Sequence, residues 1–248
     1  MKRKLLILLA AALLFAASAN AGVALITNPS ALNADTLVDW SALGASYTWV
    51  PAPVTINTPS VSIGVSETGG GFFERRDQSP DMNTFTGWLG HFAGGAHLLW
   101  TQDTYNSDLG TEVGHGPMIF DFETPILGFL VQIQNDGGPP DYFLQAFAGG
   151  TDLGTFQVSK TFPGQTCCDN TSPFIGVLSD QANITRIVLS TGVDGVGNFG
   201  NDFAIDGPLI QTQAGGQSGP TVPEPSSLAL FSAGMLGMTT LALRRRRG

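Results

Sequence analysis

The stretch "GVDGVGNFGNDFAID" gathers Asp194, Asn198, Asn201, Asp202 and Asp206 in one glycine-rich segment. Calcium takes about six to eight oxygens from carboxylates, amides and backbone carbonyls, and a glycine-rich loop exposes its carbonyls readily. Asp194, Asn201, Asp202 and Asp206 are therefore the candidate calcium ligands. Asp103, Asn106 and Asp108 in "QDTYNSDLG" form a second, sparser set. Neither spacing is that of an EF-hand loop, and Asp and Asn also serve as ordinary turn residues.

Sugar recognition needs flat apolar rings beside polar groups that fix hydroxyls. Trp40, Trp49, Trp88, Trp100, Tyr47, Tyr105 and Tyr142 could supply the rings, although a core of this size consumes several of them. Trp88 in "TGWLGH" and Tyr105 in "DTYNSD" lie in loop-like surroundings and are the candidates for glycan contact. Glycoside cleavage would need two carboxylates, and Glu67, Glu74, Asp121 and Glu123 are available. Among so many acids a pair carries no weight. The chain shows neither a G-x-S-x-G elbow nor a Ser-His-Asp pattern, so it reads as a non-enzyme. His91, His97 and His115 lack the helical spacing of a zinc site. "NTS" at Asn170 and "NIT" at Asn183 match glycosylation acceptors only as short patterns. Cys167 and Cys168 are the chain's two cysteines and are adjacent, which leaves a vicinal bridge, an intermolecular bridge or two free thiols.

The elements that must position these residues read as strands. "PMIFDF" sends Met118, Phe120 and Phe122 one way, and "GFLVQIQND" sets Phe129, Val131 and Ile133 against Leu130, Gln132 and Gln134. "DYFLQAFAGG" alternates Tyr142, Leu144 and Ala146 with Phe143, Gln145 and Phe147, and "GTFQVSK" puts Phe156 and Val158 on one side. "VSIGV", "AHLLW", "NITRIVLST" and "NDFAIDGPLI" supply further strands. Period-two runs separated by glycine-rich turns predict an all-β fold: an antiparallel β-sandwich with jelly-roll-like connections over residues 22–210. No fixed-period repeat is visible, which excludes the regular threonine array that ice binding requires.

The two ends have another character. Lys2, Arg3 and Lys4 precede an apolar stretch from Leu5 to Ala17, and Ala19-Asn20-Ala21 offers a small-x-small cleavage site. This is the pattern of a signal peptide over 1–21, too short to remain as a spanning helix. Between the ends, Gly22 to Thr221 carries four basic residues against nineteen acidic ones, a net charge of −15. Such a body repels phosphate backbones, so nucleic acid is excluded as a partner. After a polar spacer over 211–221 comes Pro223-Glu224-Pro225, then the uncharged stretch from Ser226 to Leu243, then Arg244, Arg245, Arg246 and Arg247. At about 1.5 Å per residue the stretch is just long enough to cross a bilayer, and the arginines would keep its end in the cytoplasm.

These three parts, in this order at the terminus, resemble the PEP-CTERM sorting signal over 222–248. The same tail also goes by the name of an ice-binding protein C-terminal domain, which implies no activity. The resemblance implies a transmembrane helix over 226–243, an inner-membrane precursor, Glu224 as the recognised charge, and an exosortase cutting near Pro223–Pro225. It further implies a mature protein at the cell surface or in the extracellular matrix. Asp202 is similar in placement to the final-strand aspartate that holds a structural calcium in jelly-roll carbohydrate-binding modules. The chain thus reads as an exported structural or interaction protein. The alternatives are a calcium-stabilised carbohydrate-binding module acting on exopolysaccharide and a polysaccharide-processing enzyme.

Overall fold

The computed structural model describes residues 22–69, 71–84, 87–106, 111–136, 141–162, 167–192 and 201–213, with backbone alone for 104–106 and 111–113. They belong to one unit, Met1–Ala214. The expected signal peptide, the spacer from 214 onward, the span over 226–243 and both ends of the sorting signal lie outside the described residues. So does Asp194. Among the described residues, no helix is long and apolar enough to cross a membrane.

The order of strands is β1 (Val23–Ile26), β2 (Thr36–Leu37), β3 (Thr48–Pro51), β4 (Val54–Asn57), β5 (Ser62–Glu67) and β6 (Phe72–Asp77). There follow β7 (His97–Trp100), β8 (Asp103–Asn106), β9 (Thr111–Gly114), β10 (Met118–Ile126), β11 (Gly128–Asn135) and β12 (Asp141–Ala148). The last are β13 (Thr151–Ser159), β14 (Phe174–Ser179), β15 (Ile184–Thr191), β16 (Phe203–Ile205) and β17 (Leu209–Gln211). One sheet runs β1-β14-β11-β16-β7-β6-β3, with β17 and β2 continuing from the first half of β11. The other runs β13-β12-β15-β10-β5-β4, and β8 and β9 pair apart. Every ladder between named strands is antiparallel. From β10 to β16 the chain crosses between the sheets at nearly every connection, so neither sheet can form without the other.

The core lies between the two sheets and is filled by the alternating residues of their inner faces. Phe129, Val131 and Ile133 of β11 meet Met118, Phe120 and Phe122 of β10 and Tyr142, Leu144 and Ala146 of β12. The Phe129 ring packs 5.1 Å from Phe120 and 6.2 Å from Phe122. Each such side chain contributes about 1.5–3 kcal/mol by leaving water. The expected all-β, antiparallel, sandwich-like architecture is what the structure has. Its last strand extends through Gln211, and Thr212 donates through its N–H and hydroxyl to Asp35 Oδ2 at 2.9 and 2.8 Å, so the start of the spacer is tied to the sandwich.

Trp40 is fully buried and opens a short 3-10 turn, Trp40–Leu43. Asp39 caps that turn by accepting from the Ser41 N–H at 2.9 Å, and the Trp40 indole donates to the Asp206 carbonyl at 3.0 Å. Hydrogen bonds from the Ser41 hydroxyl and N–H, and then from the His97 ring, hold the Asp39 carboxyl down at about 2, against an ordinary 3.8. A depressed carboxyl stabilises the fold fully above its unfolded value and loses that effect as pH falls through the folded one. Asp39→Ala should lower Tm at neutral pH by about 2–4 °C, the equivalent of a lost cap. The gap to the parent should close as pH falls from about 4 to about 2, as thermal unfolding followed by circular dichroism across that range would show.

Candidate functional site

Four strands of the larger sheet bring one residue each to a common row on the face away from the core. Glu74 of β6 lies opposite Trp100 of β7, Trp100 opposite Ala204 of β16, and Ala204 opposite Gln134 of β11. Side chains alternate across a strand, so Arg76 and Leu98 occupy the same face one step along. Over this face fold residues 78–84 and 87–96, bridged to each other at Gln78 and Trp88 and held to β6 by the Trp88 N–H, which donates to the Asp77 carbonyl at 2.7 Å. Between segment and sheet opens a cleft of about 370 Å³ lined by Arg76, Trp88, Leu89, Trp100, Gln134, Asn135 and Asp136, with Gly87.

The rings of the cleft are fixed on several sides. Trp100 donates its indole N–H to Asp202 Oδ1 at 2.6 Å and meets Trp88 edge-on at 5.9 Å. The Arg76 guanidinium lies between two rings, 4.2 Å from the centre of Tyr47 and 4.9 Å from that of Trp100. It also grips Glu74 with two nitrogens, at 2.9 and 3.1 Å. This fork is geometry that lysine could not supply. Tyr142, buried beneath, donates to Asn135 Oδ1 at 2.9 Å, and burial pushes its phenol up to about 12, so it stays a donor. Loss of hydration, helped by the charge of Asp103 and opposed by Arg76, raises the Asp136 carboxyl above its ordinary range.

The roof is built as firmly. Gln78, 1 % exposed, donates to the Trp88 carbonyl at 3.0 Å and to Cys168 Sγ at 3.3 Å. The sulfurs of Cys167 and Cys168 are bonded to each other, the vicinal bridge among the three states open to them. The Cys168 N–H donates to Gly90 O at 2.7 Å, and His91 stacks on Phe162 and bonds Asp169 at 3.0 Å. Gln134 accepts at Oε1 from the His91 N–H at 2.6 Å and from the Ser172 hydroxyl at 3.2 Å, leaving its amide nitrogen as the group to offer. A Cβ on Gly90 would lie 2.2 Å from both Trp88 Nε1 and Gln134 Oε1, so only glycine fits at this point of the roof. Trp88 itself is 7 % exposed, and among the described residues its buried indole N–H has no hydrogen-bond partner.

Of the residues singled out in the sequence, Trp88 lies in this cleft and the backbone of Tyr105 lies on β8, its side chain outside the described residues. Asp202 holds Trp100, whereas Asp206, four residues on and about 13 Å along the strand, lies in a second hollow beside His97 and Asp39. Asn201 turns its amide to Thr191, accepting from the Thr191 N–H at 3.2 Å. Among the described residues, no three His, Cys, Asp or Glu side chains gather as a metal group. The carboxylates considered for hydrolysis are apart: Glu74 is paired with Arg76, and Asp121 with Arg186 at 2.6 Å on the other sheet. Trp40 and Tyr142 are core. Arg76, Gln134, Asn135 and Asp136 were not anticipated. The signal for them was the Arg75-Arg76 pair in a body nearly empty of cations, and two glutamines alternating with the apolar residues of β11.

Residues 221–247 match the PEP-CTERM protein-sorting motif, in agreement with the reading of Pro223-Glu224-Pro225 and the arginine cluster. No curated protein sequence matches the chain. Among solved structures, the chain is similar to CsCBM6-3 from Clostridium stercorarium in complex with cellobiose, at 12% identity over 68% of this chain and 99% of that one. The TM-score is 0.27, too low to bear on fold or ligand.

Asp202 is 1 % exposed and accepts the Trp100 indole, so its removal strands a half-buried donor. Asp202→Ala should cost about 1–3 kcal/mol of stability, as much in chelator as in calcium. Asp202→Asn, which keeps an acceptor for the indole, should recover most of the loss. Denaturant unfolding of both variants in calcium and in chelator checks this.

Proposed function

We propose that the chain is an exported surface or matrix protein, sorted through its PEP-CTERM tail, whose sandwich binds a glycan in the cleft of Trp88, Arg76 and Asp136. The observation that carries the reading is the Trp88 indole N–H. It is a buried donor that has no partner among the described residues, and it belongs to a ring lining a cleft whose other groups are a guanidinium, two amides and a carboxylate. An unmade hydrogen bond of this kind costs about 1–3 kcal/mol in the free protein, and a ligand hydroxyl would relieve it. Hydroxyls both donate and accept, so they suit a cleft that mixes Trp88 and Arg76 donors with an Asp136 acceptor. The motif at 221–247 supports export, an inner-membrane precursor and processing by an exosortase near Pro223–Pro225.

The binding role needs no chemistry at the bound sugar. Among the described residues lining the cleft Asp136 is the carboxylate, and Glu74 on the same sheet face is neutralised by Arg76.

Sedimentation of residues 22–213 with the producing cells' exopolysaccharide, in calcium and in chelator, tests it. Saturable binding without release of reducing ends is expected. Trp88→Phe keeps the ring and deletes the N–H. It should weaken binding by about three- to tenfold while leaving Tm unchanged or higher, because a stranded donor has been removed. Equal binding by Trp88→Phe, or none by the parent, would sink the glycan reading. For the tail, Glu224→Ala should hold the precursor in the membrane fraction; unchanged release would end the sorting proposal.

A further inference from the structure

The row of residues that builds the cleft continues past it to the edge of the sheet. Trp49 of β3 lies opposite Glu74, so Trp49, Glu74, Trp100, Ala204 and Gln134 form one line across five strands. On either side of Trp49 the same face carries Tyr47 and Phe72. Trp49 is 63 % exposed, Tyr47 49 % and Phe72 44 %. Trp49 and Phe72 pack edge-on at 6.2 Å, and Tyr47 is the second ring against Arg76. The guanidinium therefore joins the edge aromatics to the cleft as one continuous surface of ring, cation and ring. Large rings left in water and adjoining a cleft mark a contact surface.

We infer that this surface is an extension of the cleft that takes further sugar rings, so that the protein grips the interior of an extended, uncharged polysaccharide laid across the strands from Trp88 to Trp49. The inference rests on the glycan reading of the cleft and adds length and charge class to it. Trp49 and Trp100 are two inter-strand steps apart, about 9–10 Å, a span on the scale of two linked pyranose rings. Flat exposed rings beside the Arg76–Glu74 fork present the apolar face and the polar edge that a pyranose also has. Charge selects against an acidic chain. Arg76 is committed to Glu74, while Asp136 and Asp202 stand beside it in a body of net charge −15. A second copy of this chain is a poorer occupant of the edge, because β3 is four residues long and includes Pro51, which has no N–H to pair.

The test uses the full chain in detergent and the producing cells' exopolysaccharide, neutral fraction, cut by partial acid hydrolysis into short and long fragments. Titration calorimetry should show long fragments binding about tenfold more tightly than short ones, with affinity unchanged between low and high salt. Trp49→Ala should reduce the long-fragment affinity several-fold to about tenfold, down to the short-fragment value, and leave short fragments unaffected. Phe72→Ala should act in the same direction and Trp49→Phe should restore most of the loss, with unfolding curves confirming that each variant is folded. Equal affinity for both lengths, long-fragment affinity indifferent to Trp49→Ala and Phe72→Ala, or a concentration-dependent dimer abolished by Trp49→Ala would overturn the inference while leaving the cleft standing. Preference for the acidic fraction would overturn its charge class. Binding of no fraction would remove the glycan reading and this extension with it.

Discussion

Strand β11 is buried along its whole length on both faces, and its outward face is where the rest of the molecule is decided. Toward the core it offers Phe129, Val131 and Ile133, which need nothing but neighbours. Away from the core it offers Gln132 and Gln134, whose amides must find partners once water is gone. Those partners come from segments that fold over the sheet. Gln132 donates to Asn170 and to the Ser172 carbonyl, while Gln134 accepts from His91 and Ser172. The cleft is the space left between that roof and the row Glu74, Trp100, Ala204. Its walls exist because two glutamines could not be left bare.

The inward half of this arrangement was legible in the sequence and the outward half was not. Alternation in "PMIFDF", "GFLVQIQND" and "DYFLQAFAGG" named the core residues of β10, β11 and β12, because burial on one face imposes a period of two that survives in any context. The partner of each strand left no such trace. That Trp49, Glu74, Trp100 and Gln134 stand in one line follows from ladders between segments far apart in the chain, and ladder register is not written in any one of them. Trp88 could be picked from its glycine-rich setting. Trp49 and Trp40 look alike as sequence, yet one is 63 % exposed and the other fully buried. The tail was the easiest part to read, since its chemistry is linear: a proline-flanked acid, an apolar run and four arginines.

Cations are scarce in the sandwich, and each of its three arginines has a structural post. Arg75 is buried against Asp77, Arg76 is forked onto Glu74 between two rings, and Arg186 is paired with Asp121. Paired in this way they add little to the field of the whole, which remains strongly negative and screened only over about a nanometre at physiological salt. A surface of that kind keeps its distance from anionic headgroups and acidic polymers. What can approach is a partner drawn by rings and hydrogen bonds, and the face around Trp49 and Trp88 is built from these.

The bond between Cys167 and Cys168 has a consequence for timing. Its two sulfurs sit against Gln78, the residue that also carries the backbone of Trp88, so the bridge is part of the scaffold of the roof. Bridges of this sort are made in oxidising surroundings and are rare in the cytoplasm. For an exported chain, this tie of the roof would therefore be made only outside the cytoplasm. In a reducing compartment its sulfurs would be thiols and the roof would lack this tie. The roof would then be completed in the compartment to which an exported chain is sent.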